Sequence, residues 1–178
     1  MKKTTTTLEI EKARRLALRA LTKSGAARAN VRYLADAVID SELVGMPSLG
    51  FFWLPVYCSH LRCGKVEGAI NPVISRLSTV AYRADAGSGF AHPAIEKGFA
   101  KIISAAKKYG IAGLSVTNSY NCGRLGGHTE RLAREGLLAM GFTNAPASIA
   151  PPGGIKAVIG TNPVSMAAPD GKGGVGYV

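Results

Sequence analysis

The sequence predicts an α/β protein in which an amino-terminal helical part is followed by a mixed α/β sheet region. Two observations carry that expectation. Apolar residues recur at helical spacing from Leu8 to Ile39, and residues 111–145 read as strand, helix, strand. A third narrows it: no Gly-x-Gly-x-x-Gly follows a strand and no Walker phosphate loop is present, so neither a Rossmann nor a P-loop site is supported.

The helical part is taken as residues 1–72. Thr6 followed by Glu9 forms a capping-box pattern, and Leu8, Ala13, Leu16, Ala17, Ala20 and Leu21 then make one stripe that Gly25 stops. Val31, Leu34, Ala35, Val38 and Ile39 continue the period in a second helix that ends near Gly45. Its acidic residues Asp36, Asp40 and Glu42 read as a solvated face. Residues 51–64 (FFWLPVYCSHLRCG) give a third helix entered through Pro55 and closed by Gly64, with an aromatic cluster expected to pack.

The sheet region is taken as residues 73–178. A β-branched, polar stretch from Val73 to Ala84 suggests one edge strand. The segment HPAIEKGFAKIISAAKKYG then has Pro93 in its first turn, Ile95, Phe99, Ile102, Ile103 and Ala106 on one face, and Gly110 as its stop. IAGLSVTNS reads as a short buried strand, LGGHTERLAREGLLAMG as a helix and GFTNA as another strand. Beyond Ser148 the chain alternates apolar pairs with Pro and Gly, and only Lys156, Asp170 and Lys172 are charged between Gly141 and Val178. Such a segment is expected to be buried or close to a ligand.

Composition limits the function classes. With 178 residues, 47% of them apolar, the chain can build a real core. The net charge of +11 is concentrated: residues 1–32 hold nine basic residues against Glu9 and Glu11. That pattern reads as solvated helix faces, and no nucleic-acid recognition module accompanies it. Cys58, Cys63 and Cys122 are too few and scattered for a disulfide framework, and His60, His92 and His128 are too dispersed for a metal site. The start of the chain lacks the apolar centre of a signal peptide, and no apolar run is long enough to span a membrane. The expectation is a cytoplasmic chain with no metal, no nucleic-acid partner and no membrane partner.

What stands out is a series of polar, glycine-bearing clusters at strand ends: PSLG at 47–50, DAGSGF at 85–90, TNSYNCG at 117–123, TNAPAS at 143–148 and GTNP at 160–163. Each alone suits a turn. Their recurrence after short apolar strands points to a ligand site, because loops on a rigid scaffold are where ligands are held.

In this order the clusters resemble the malate/L-lactate dehydrogenase family, over Leu8 to Pro169. The family's Ser-His-Gly-x-x-Arg-Leu-Pro-x-Tyr segment is matched by Ser48-Leu49-Gly50-Phe51-Phe52-Trp53-Leu54-Pro55-Val56-Tyr57. Its Asp-Ala-Gly-x-Gly-Phe stands at Asp85–Phe90 and its Asn-Ser-x-His-x-Gly loop at Asn118–Gly123. Its Ala-Pro-x-Gly-Gly and Gly-Thr-Asn-Pro segments stand at Ala150–Gly154 and Gly160–Pro163.

The resemblance implies a non-Rossmann malate/L-lactate dehydrogenase-like fold and NAD or NADP as cofactor. It further implies a small hydroxy/oxo or imino acid as substrate, and a homo-oligomer, most simply a dimer. Ser48 is assigned a substrate hydrogen bond, Asn118, Ser119 and Asn121 the site loop, and Thr143, Asn144, Thr161 and Asn162, with Ser119 and Asn121, the cofactor side. The family's proton donor and its carboxylate-binding arginine are here Leu49 and Trp53, and its second histidine is Asn121. Leucine transfers no proton and tryptophan makes no charged fork. The substrate is therefore expected to be less acidic, bulkier or aromatic. His128, near the start of a helix, is the candidate for the missing acid–base role, with His60 behind it; the plainer reading of both is surface or capping.

The same replacements also suit a relative kept as a binding or assembly subunit without catalysis. Because the resemblance matches the amino-terminal half of such chains, strand edges normally covered by later residues are expected to favour self-association and to leave cofactor binding weak.

Overall fold

A computed structural model describes residues 7–177, in five helices and six strands. Thr6, half of the expected capping box, lies outside the described residues. Helix α1 (Ile10–Lys23) begins with Glu9 at its N-cap and buries Ala13, Ala17 and Leu21, one residue per turn. Helix α2 (Arg28–Leu43) buries Val31, Leu34, Ala35, Val38 and Ile39, and Gly45 follows in the left-handed region at φ +76°. Helix α3 (Leu54–Arg62) carries its proline in the first turn and brings Leu54, Tyr57, Cys58 and Leu61 into the same core. The chain leaves α3 through Gly64, also at positive φ, and returns past α2, where the buried Asn30 amide donates to the carbonyls of Gly68 and Ile70.

The stretch expected to be one edge strand is a hairpin. Strands β1 (Val73–Arg76) and β2 (Ala81–Asp85) pair antiparallel around a turn in which Ser78 Oγ accepts from the Val80 and Ala81 backbone N–H groups. A hydroxyl turn of this kind carries no glycine or proline, which is why the pattern ran on as a single strand. Helix α4 (Ala91–Tyr109) stops at Gly110, φ +82°, and leads to β3 (Gly113–Thr117), which lies parallel to β2. The first sheet has the order β1-β2-β3. The close approach of α4 depends on Gly98, where a methyl group would strike the Leu114 side chain. Leu114 and Val116 are half-buried while Gly113 and Ser115 are exposed, so β3 is not fully buried.

Helix α5 (Leu125–Arg134) and strands β4 (Ala139–Phe142), β5 (Val164–Pro169) and β6 (Val175–Tyr177) form a second, antiparallel sheet unit. The expected strand–helix–strand unit is thus divided: β3 belongs to the first sheet and β4 to the second. The strand expected at GFTNA starts earlier, at Ala139. One face of β4 and β5 is made of Ala139, Gly141, Ser165 and Ala167, the small residues that let α5 pack, whereas Met140, Phe142, Val164 and Met166 lie exposed on the other. The low-charge segment 148–163 is not buried: it folds back through the Ile149–Ile159 bridge and leaves Ile155 fully exposed.

The chain divides into two compact units, Met1–Gly123 and Arg124–Val178. Within the first, α1 to α3 precede β1, and α4 lies between β2 and β3; the second holds the remaining elements.

Candidate functional site

In the first unit, β2 and β3 run parallel with Asp85 and Thr117 in register at their carboxyl ends, the place where parallel sheets present ligand-binding loops. The two loops that follow are laced together. Ala86 N–H donates to the Thr117 carbonyl at 3.0 Å, Ser88 N–H to that of Asn118 at 2.7 Å and Tyr120 N–H to that of Gly89 at 2.8 Å. Such lacing forces unusual backbone: Ser88 and Asn118 sit at φ +66° and +49°, values that Asn tolerates better than most residues.

Asp85 closes this corner. Its Oδ1 accepts from Gly87 N–H at 2.8 Å, and the Asn118 amide donates to both carboxylate oxygens at 3.1 Å. The Gly87 bond, then the Asn118 bond, hold the Asp85 carboxyl below the ordinary carboxylate range. Asn118 is thereby committed to shaping the loop. Ser119 beside it is exposed.

Helix α3 supplies the wall. Trp53 packs edge-on against Tyr57, and Tyr57 against Phe90 and Tyr120. Tyr57 is buried, and its hydroxyl lies 3.3 Å from Asn121 Oδ1, which also accepts from Gly123 N–H at 2.6 Å. Asn121 is exposed, and with its oxygen engaged twice its NH2 is the group suited to donate to a ligand. Burial pushes the Tyr57 phenol well above the usual tyrosine range. One turn on, His60 Nδ1 lies 2.5 Å from the Tyr120 hydroxyl. His60 is therefore not a plain surface residue.

Ser48 and Leu49 sit in a single 3-10 turn, Pro47–Leu49, with Ser48 exposed and Leu49 half-buried. The turn is followed by the bond from Phe51 N–H to Glu42 Oε1, 2.7 Å. The expected solvated face of α2 is thus only partly solvated: Glu42 holds the approach to α3, Asp36 pairs with Arg14 at 3.2 Å, and Asp40 alone is exposed. Trp53 is half-buried, and its indole Nε1 is shielded from solvent and meets no acceptor among the described residues.

The second unit holds the remaining candidates. His128 is half-buried on α5, one residue before the buried Thr129, whose hydroxyl bonds Gly126 O and Ser165 Oγ. Arg124 and Arg134 both pair with Glu130, at 3.1 and 2.7 Å, and hold its carboxyl below the usual range, Arg134 most strongly. The two Thr-Asn loops meet: Asn162 Oδ1 accepts from Ala145 N–H at 2.9 Å, and Thr143 N–H reaches the Pro163 carbonyl at 3.3 Å. Asn162, at φ +39°, is a loop tie, while Asn144 and Thr161 are exposed. Among the described residues, no group of three or more His, Cys, Asp or Glu is arranged to hold a metal ion, and no helix is long and apolar enough to cross a membrane.

The pairings Asp85–Asn118, Tyr57–Asn121 and His60–Tyr120 bridge 33, 64 and 60 residues of chain. Spacing along the sequence held no signal for them, although Tyr120 lay inside the expected loop, between Ser119 and Asn121.

The family model for malate/L-lactate dehydrogenase matches residues 8–177. The chain is 38% identical over 162 residues to the (2R)-3-sulfolactate dehydrogenase (NADP(+)) of Chromohalobacter salexigens, covering 91% of this chain and 48% of the relative. It is 35% identical over 147 residues to a Delta(1)-pyrroline-2-carboxylate/Delta(1)-piperideine-2-carboxylate reductase of Pseudomonas putida, covering 83% and 43%. Among solved structures, the delta1-piperideine-2-carboxylate reductase of Pseudomonas syringae superimposes with a TM-score of 0.91 at 29% identity, covering 97% of this chain and 52% of that one. The malate dehydrogenase of Entamoeba histolytica gives 0.90 at 28%, covering 98% and 49%. The chain spans about half the length of the curated relatives it matches.

Proposed function

Since this chain belongs to the malate/L-lactate dehydrogenase family, we propose that the protein is an NAD(P)-dependent oxidoreductase acting on a small hydroxy/oxo or imino acid. The observation that carries the reading is the laced pair of loops at the carboxyl ends of β2 and β3, with the exposed Asn121 beside an aromatic wall. Relatives named for sulfolactate and for cyclic imino acids support that substrate range.

Ser119 in the first unit, and separately Asn144 and Thr161 in the second, are exposed neutral hydroxyl or amide groups, the chemistry that binds a carboxamide or ribose hydroxyls. When bound, the cofactor supplies the redox chemistry and the protein supplies orientation and a proton. Ser48 bonds the substrate, Asn118 and Asp85 hold the loop, and Thr143, Asn144, Thr161 and Asn162 form the cofactor-side loops. His128 remains a proposed acid–base residue of the second unit. At the position of the family's carboxylate-binding arginine, Trp53 carries no charge, so Leu49 and Trp53 favour a bulkier, less acidic substrate. The reading extends to a cytoplasmic homodimer.

Fluorescence titration with NADH and NADPH, followed by turnover assays on 2-oxo acids and cyclic 2-imino acids, tests it. Saturable binding of one nucleotide with reduction of either substrate class is expected. Neither binding nor turnover overturns it.

A further inference from the structure

Within the loop corner, few groups are able to move a proton. Leu49 has none, and the amide of Asn121 is neither acid nor base near neutral pH. Asp85 is held as a carboxylate by Gly87 and Asn118. His92 is buried beneath Gly123, 3% exposed. Of the other titratable groups, His60 and Tyr120 are directly paired, with Nδ1 and hydroxyl 2.5 Å apart. Tyr120 is half-buried in the loop between the exposed Ser119 and Asn121. Its ring is fixed edge-on by Tyr57, Phe90 and His60, and its backbone by Gly89.

Resting on the oxidoreductase reading above, we propose that Tyr120 is the proton donor of this site and that His60 is the positioning residue that recharges it. When His60 is protonated, its Nδ1–H donates to the phenol oxygen and leaves the phenolic O–H for the substrate. The carbonyl carbon or imine carbon gains a hydride from reduced nicotinamide, the named reductant, which is oxidised by two electrons. The carbonyl oxygen or imine nitrogen gains the Tyr120 proton. Tyr120 then takes the proton of His60 Nδ1, and His60 takes one from water. Burial keeps the Tyr120 phenol above its ordinary range, so it stays a donor across neutral pH. The other titratable groups around the pair are Tyr57 and Cys63 on the α3 side and Cys122 on the loop.

General acid catalysis of this kind is worth roughly a hundredfold or more. Tyr120→Phe keeps the ring packing and removes only the hydroxyl. It is expected to lower kcat about a hundredfold while KM and the NAD(P)H dissociation constant stay within about twofold. His60→Gln is expected to lower kcat less than Tyr120→Phe does and to change the shape of the pH–rate profile, whereas a merely structural role for His60 leaves that shape unchanged. Independently of turnover, Tyr120→Phe should shift the nitrogen-15 resonance of His60 Nδ1. Wild-type activity that Tyr120→Phe leaves within about twofold, in protein with unchanged near-ultraviolet circular dichroism, overturns the assignment while the oxidoreductase reading stands. An unchanged His60 resonance overturns the pairing itself. Wild type that neither binds nicotinamide nor turns over overturns both.

Discussion

The Asn118 amide faces the Asp85 carboxylate squarely, 3.1 Å from each oxygen, and so joins the loop after β3 to the end of β2. Asp85 also holds Gly87 N–H, and these bonds favour its charged form. A carboxyl depressed in the folded state stabilises the protein above its unfolded pKa, and the contribution is lost as pH falls through the folded value. Asp85→Asn is therefore expected to melt below wild type at neutral pH, with the gap closing as the solution is acidified to about pH 3. Thermal denaturation across that range checks it; a gap that widens in acid contradicts the assignment.

Trp53 offers a sharper contrast, because its buried indole nitrogen meets no acceptor among the described residues while its ring packs on Tyr57. Trp53→Phe removes an unsatisfied donor and keeps most of the aromatic surface, so it should cost less than about 1 kcal/mol. Trp53→Arg places a charge against Tyr57 and the helical core and should cost about 2–4 kcal/mol. Urea denaturation of both variants decides this. Equal losses would mean that the N–H is satisfied by something in solution.

How much of this was legible from residues alone differs by element. Gly110 as the stop of α4 and Gly45 and Gly64 after α2 and α3 were readable, since a positive φ selects glycine almost uniquely. The hairpin at Ser78 was hidden because a hydroxyl turn looks like ordinary strand sequence. The loop clusters at 85–90 and 117–123 were visible as clusters, but their lacing depends on β2 and β3 being parallel neighbours. Glu42 looked like one more surface acid until the turn before α3 brought Phe51 N–H to it. The tail from Ser148, read as buried or close to a ligand, is mixed: residues 151–159 are exposed, whereas Ser165 and Ala167 of β5 are buried.

The Thr-Asn loops of the second unit are held at one point that tolerates no side chain. A methyl group on Gly160 would overlap the Ala145 carbonyl, and Ala145 N–H is the donor that Asn162 captures. Gly160→Ala must therefore part the two loops, at a cost of about 1–3 kcal/mol. Asn162→Ala loses the tie and leaves alanine at φ +39°; Asn162→Asp keeps the acceptor. On the proposed function, Gly160→Ala and Asn162→Ala should each weaken nicotinamide binding about tenfold and Asn162→Asp much less. Cofactor titration of the three variants is the measurement, and equal affinity in all three would remove these loops from the cofactor site.

Leu49 and Tyr120 allow a final test of where the proton comes from. Leu49 is half-buried in the turn after Pro47 and carries no proton to give, while Tyr120 holds one against His60. A histidine placed at 49 occupies the position where the family carries its donor, so it adds little while Tyr120 serves and more once the phenol is gone. Leu49→His is therefore expected to change kcat less than about threefold in wild type but to recover about tenfold or more in Tyr120→Phe. Adding Trp53→Arg should move preference toward 2-oxo acids, through a charged fork on the carboxylate, at the stability cost given above. Steady-state rates for the four combinations at positions 49 and 120 form a double-mutant cycle. Strict additivity would show that the two residues do not share a role, and the donor at Tyr120 would then have to be abandoned.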